Sequence, residues 1–175
     1  MGSAPAVLFR VFMEICLLRR RPQDLPYSQA LFSLCMVSYL LLTTLLNAIV
    51  YPLGNALLAS AVEGVLIMAA TSAALRLRGV GERWLQTTTA LTGSGCILTL
   101  FALPVFAFGE RLGQGQVPVM TSLLALLLLT WNLAVVAHVL RHALGITFPA
   151  GVMAALLYLW VISIVVAGVL PVAAA

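Results

Sequence analysis

Five apolar stretches of about twenty residues, joined by short links, constrain this chain more than any other feature it has. They run from about Ala30 to Tyr51, Asn55 to Leu75, Thr89 to Phe108, Val117 to Leu140 and Ile146 to Leu170. A hydrocarbon core about 30 Å thick is crossed by about 20 helical residues, so each stretch is long enough to span it. An open sheet would leave backbone groups unpaired in lipid, which leaves helices as the spanning element. The predicted fold is therefore all-α: residues 1–175 form one integral membrane domain, a polytopic bundle of five transmembrane helices. No polar stretch is long enough for a soluble domain. The longest, Arg76 to Thr88, reads as a loop of about a dozen residues. Pro104 should kink the third span.

Charge then orients the bundle. All nine basic residues are arginines, and eight of them (Arg10, Arg19, Arg20, Arg21, Arg76, Arg78, Arg83 and Arg141) fall on one side once the spans are drawn. Arg111, beside Glu110, is left for the other side. Short loops rich in arginine stay cytoplasmic, which predicts the N-terminus inside and the C-terminus outside. A mean hydropathy of +1.13 with only 8% charged residues cannot cover a soluble surface. The sequence pI near 9.4 does not point to nucleic acid, because the arginines sit at helix ends and not on one patch with aromatics. Contact with the bilayer's anionic headgroups is the expected role of Arg19, Arg20, Arg21, Arg76, Arg78, Arg83 and Arg141.

Residues 6–21 read as an amphipathic helix. Arg10 and Glu14, spaced i, i+4, form a thin polar edge beside Val7, Leu8, Val11, Phe12, Ile15 and Leu18. The expectation is a helix lying in the cytoplasmic interface, anchored by Arg19 to Arg21 and stopped by Pro22. The order of charges is wrong for a secretory signal, since the arginine cluster follows the apolar run.

Glu63 is the one formal charge deep within a span. Counting along its helix puts it roughly 12 Å below the outer surface, level with Thr43, Thr44, Thr99, Leu124 and Ser163. None of these is basic, and burial disfavours the charged form, so a neutral, hydrogen-bonded acid is expected. Glu63 with Thr43, Thr44, Thr99 and Ser163 is the candidate intramembrane polar site, either a proton or cation site or a polar clasp between helices.

Other groups carry less. His138, Arg141 and His142 share one helix face, but no Glu intervenes between the histidines and no third ligand is evident, so headgroup contact is expected there and no metal. His138 and Glu63 lie at different depths, which disfavours a relay between them. Cys16, Cys35 and Cys96 are isolated, as small apolar side chains would be. Thr87 to Thr89, Thr92, Gly93, Ser94 and Gly95 read as a close-packing surface, and Ser60-xxx-Gly64 and Gly151-xxx-Ala155 let helix backbones approach. Asn47, Trp131 and Asn132 add polar and aromatic contacts at other depths. With no nucleophile–base arrangement and no carboxylate pair, neither an enzyme nor a cofactor is expected.

The layout resembles the Yip-domain family of small polytopic membrane proteins. The resemblance rests on the amphipathic start, the Leu18-Arg-Arg-Arg-Pro22 segment, about five spans, and the basic link Leu75-Arg-Leu-Arg-Gly-Val-Gly81. It implies a non-enzymatic protein of membrane organisation or interaction, with a membrane-protein partner or a second copy of itself. Eukaryotic members engage small GTPases in vesicle traffic and typically carry a long cytosolic N-terminal segment, which these residues do not match. A lysine-free, Ala/Leu/Arg-rich composition points to a GC-rich bacterial genome and hence to an inner membrane. The second reading is a transporter or proton-coupled component that uses Glu63.

Overall fold

The computed structural model describes residues 4–113 and 119–169. Among these, every regular element is helical: α1 (Ala4–Cys16), α2 (Gln29–Asn47), α3 (Leu53–Leu77), α4 (Trp84–Gly113), α5 (Val119–Leu144) and α6 (Phe148–Val169), with short 3-10 turns at Pro22–Asp24 and Gly81–Arg83. Five helices, α2 to α6, are long and apolar enough to cross a membrane. The chain is an all-α bundle of the kind expected of a multi-pass membrane protein.

The α2–α3 link and the distal tips of α4 and α5 lie at one end, called distal below. The α3–α4 and α5–α6 turns lie at the other, proximal end. α4 is the central helix, touching α1, α2, α3 and α5, while α6 leans on α5 and α3. In lipid there is no hydrophobic force between helices, so these contacts depend on close packing and polar bonds. The proximal half of α4 supplies both. Thr87, Thr88, Thr89, Thr92 and Ser94 are buried, and each hydroxyl donates to a carbonyl four residues back. Self-satisfied hydroxyls of this kind leave the helix slim and able to pack on several neighbours.

The links are tighter than the sequence suggests. The loop expected over Arg76 to Thr88 is mostly helix, with only Arg78 to Val80 between α3 and the 3-10 turn that leads into α4. Gly79 adopts a left-handed φ of 69°, and the Gly79 and Val80 N–H groups donate to the Arg76 and Leu75 carbonyls. That is a Schellman turn, which closes a helix within two residues. Gly145 does the same after α5, at φ 63°, with the Ile146 N–H donating to the Arg141 carbonyl. The first span ends at Asn47 and not at Tyr51, so the hairpin link is Ala48 to Pro52. Pro104 lies inside α4 without ending it.

α1 differs from its expected form. It stops at Cys16, short of Arg21, through a left-handed Leu18 at φ 61°, a conformation that costs an L-residue about 1–2 kcal/mol. Its end is also wedged into the bundle. Phe12 lies on Gly93 of α4, the Cys16 thiol faces the Ser94 carbonyl at 3.7 Å, and the Trp131 indole N–H of α5 donates to the Cys16 carbonyl at 2.8 Å. Ser94 stands ten residues past the start of α4, about 15 Å of helical rise, which is too far in for a helix resting flat on the proximal surface. The segment that follows is held as firmly. Gln86 of α4 donates to the Gln23 and Leu25 carbonyls, Gln23 donates to the His142 carbonyl, and His138 Nε2 donates to the Arg20 carbonyl at 3.0 Å. The N-terminal segment is therefore bonded into the proximal half of the bundle.

Candidate functional site

The polar residues of the distal half converge on a cleft. α2 presents Tyr39, Thr43 and Asn47 four residues apart, which places them along one face. Glu63 of α3 faces that stripe, and the Tyr39 hydroxyl donates to Glu63 Oε1 at 2.7 Å. One turn nearer the distal end, Asn47 Nδ2 donates to Ser60 Oγ at 3.2 Å, and that hydroxyl donates to the Ala56 carbonyl at 2.9 Å. Two polar rungs thus join α2 to α3. Tyr39 lies flat because Gly95 of α4 has no side chain: a Cβ there would stand 2.5 Å from the ring.

Thr99 and Asn132 complete the polar lining from α4 and α5, around a volume of about 320 Å³. A second cleft of about 280 Å³, toward α6, is lined by Asn47, Tyr51, Glu63 and Ser163. Glu63 and Asn47 form the wall between the two. Near Glu63, the Tyr158 hydroxyl of α6 lies within electrostatic reach of the carboxyl and faces Thr71 Oγ1.

Of the residues expected around Glu63, Thr43, Thr99 and Ser163 do line these clefts. Thr44 lines neither cleft, and Leu124 faces outward. The partner that sequence reasoning missed is Tyr39. The signal was present, since Tyr39 is one helical turn before Thr43, but the side chain's length lets it reach a carboxyl that its own depth would not suggest.

The basic residues divide into two groups. Arg19, Arg21, Arg76 and Arg78 are exposed at the proximal end, as headgroup contacts need to be. Arg20, Arg83 and Arg141, expected in the same role, are partly committed to the protein. Arg20 pairs with Glu14 at 3.5 Å, while Glu14 also holds Arg10 at 3.1 Å. Arg83 donates to the Ala143 carbonyl near the end of α5, and Arg141 packs over the Phe148 ring with its centre 5.4 Å away. His138, expected as an interfacial residue, is buried and clasps the N-terminal segment. Its ring meets that of His142 edge-on at 4.6 Å. Among the described residues no three His, Cys, Asp or Glu side chains converge as metal ligands.

No protein-family model, curated protein or solved structure matches this chain.

Proposed function

We propose that this chain is a non-enzymatic component of a bacterial inner membrane that works by binding other membrane components, its proximal end in the cytoplasm. The observation that carries this reading is that the polar cleft is confined to the distal half. Its lining reaches no deeper than Tyr39, Gly95 and Asn132, while Ile15, Cys16, Leu25, Val135 and Val139 of the proximal core are all at most 2% exposed. A single chain so packed offers a seat, not a conduit. The exposed arginines at the proximal end supply the cytoplasmic orientation and a surface for anionic headgroups. An amphipathic start followed by five spans is also the layout on which the likeness to the Yip-domain family rests.

Orientation has a direct check. Reporter fusions in the α2–α3 link, at Gly81, after Gly113, at Gly145 and at the C-terminus should read outside, inside, outside, inside, outside. A cytoplasmic C-terminus would overturn the arrangement.

A second reading, a proton-coupled component, is favoured by one feature: Glu63 Oε2 has no partner among the described residues and borders both clefts. The two readings separate on Glu63. If binding is the function, Glu63→Gln keeps an acceptor for Tyr39 and should still co-purify its partners and complement a deletion strain. Glu63→Leu removes the rung, about 1 kcal/mol for an interhelical bond, and should weaken both. A well-folded Glu63→Gln protein that retains its partners and fails to complement would favour proton coupling.

A further inference from the structure

We propose that the distal cleft is a binding site for a membrane amphiphile carrying a primary ammonium group, which enters sideways from the bilayer between α4 and α5. This goes beyond the interaction role proposed above and does not depend on it.

The unused polar atoms point to a ligand. In the proximal half of α4 every buried hydroxyl named above donates within its own helix. At the cleft this changes: Thr99 Oγ1, the Asn132 amide, Asn47 Oδ1 and Glu63 Oε2 have no hydrogen-bond partner among the described residues. None of the four is sealed away, and all four residues line the open volume. Polar atoms in the interior of a membrane bundle that lack a partner cost free energy, and a ligand or water must supply the missing bonds.

The charge selects the ligand. The polar lining holds one acid, amide and hydroxyl groups, and no base. An ammonium group brings three donors and a positive charge, matching the carboxyl and the neighbouring oxygens. An anionic headgroup would meet no counter-charge there.

The entrance selects an amphiphile. α4 and α5 touch at the distal tip, where a Cβ on Gly109 would stand 2.5 Å from Thr121. They meet again lower down, where the Phe101 and Trp131 rings pack tilted at 43° with centroids 5.6 Å apart. Between these contacts the cleft is edged by Phe106 of α4 and Leu129 of α5, both exposed on the outer face of the bundle. The α4–α5 side of the cleft thus has an apolar edge and a polar floor, which is the side we assign as its entrance. A chain with an apolar tail and an ammonium head fits it, the tail against Phe106 and Leu129 and the head toward Glu63.

The test uses the full chain in phosphatidylcholine nanodiscs with tritiated dodecylamine as probe and empty nanodiscs as reference. Saturable binding above the reference is expected. Glu63→Gln should weaken it about tenfold or more, as loss of a charge-assisted bond implies. Unlabelled 1-dodecanol, with the same tail and no charge, should compete poorly. Thr99→Val with Asn132→Leu should weaken binding several-fold, and because those polar atoms make no bond inside the protein, this variant carries the test if Glu63→Gln fails to fold. Binding no better than to empty discs, undiminished binding by the folded variants, or equal competition by dodecanol would each overturn the proposal. Partner co-purification by the same variants reports on the interaction role separately.

Discussion

Gly93→Val should release the N-terminal helix from the bundle, at a cost of about 3 kcal/mol, the upper end of what overpacking a filled interior takes. The Phe12 ring rests directly on Gly93, so any side chain there occupies the same space as the ring. Phe12 is only 6% exposed. Valine adds two further methyls on a stiff, branched Cβ at the point of contact, so the helix is expected to lift. Cys16 reports the event. Its thiol is 1% exposed, and burial pushes it up to about 12 from an ordinary value of 9.0, which keeps the reactive thiolate scarce. With Cys35 and Cys96 replaced by serine, Cys16 should resist maleimide in the parent chain. In Gly93→Val it should react about tenfold faster or more, since labelling follows the population of the opened state. Equal rates would mean that Gly93 is not the seat of α1.

That coupling was half legible in the sequence. Gly93 and Gly95, amid Thr92 and Ser94, announced a surface made for close approach, and five apolar runs announced what would approach it. The occupants were not readable. Phe12 looked like one apolar residue among six on an interfacial helix, and Tyr39 looked like an ordinary residue within a span. Both are placed by tertiary geometry, in which a ring finds a glycine on another helix, and no local period encodes that match. The arginines show the same limit. Their count on each side of the spans is a property of the linear chain and gave the proposed orientation. Whether a given guanidinium meets lipid or protein depends on its neighbours in space, so Arg83 and Arg141 turned inward while Arg19 and Arg78 did not. The expected loop at Arg76 to Thr88 erred for a simpler reason. The helices run past their apolar cores, α3 to Leu77 and α4 from Trp84, so most of that polar stretch is taken up by helix ends and a 3-10 turn.

The entrance and the two clefts depend on α5 holding its place against α6, and the weakest point of that contact to a change of size is Gly151. Gly151→Val should loosen α6 by about 3 kcal/mol, again toward the upper end for overpacking. A Cβ at this position would lie 3.0 Å from the Ala137 carbonyl oxygen, 2.7 Å from Arg141 Cβ and 3.5 Å from Arg141 Cα. A backbone carbonyl cannot rotate away as a side-chain tip can, so the helix itself has to move. α6 is the least enclosed of the five long helices, and in lipid a widened gap is refilled by acyl chains with no hydrophobic penalty to resist it. Ala155, fully buried one turn on, would lose its contact, and Ser163 would draw away from the second cleft beside Glu63. For a chain of this size such a loss should lower the melting temperature of the purified protein by roughly 6–12 °C. Gly168→Val is the matched control, because nothing lies within 4 Å of a Cβ at that position. It changes the same residue type on the same helix and should leave the melting temperature nearly unchanged. If the two variants melt together, the α5–α6 contact is not what holds α6 in the bundle.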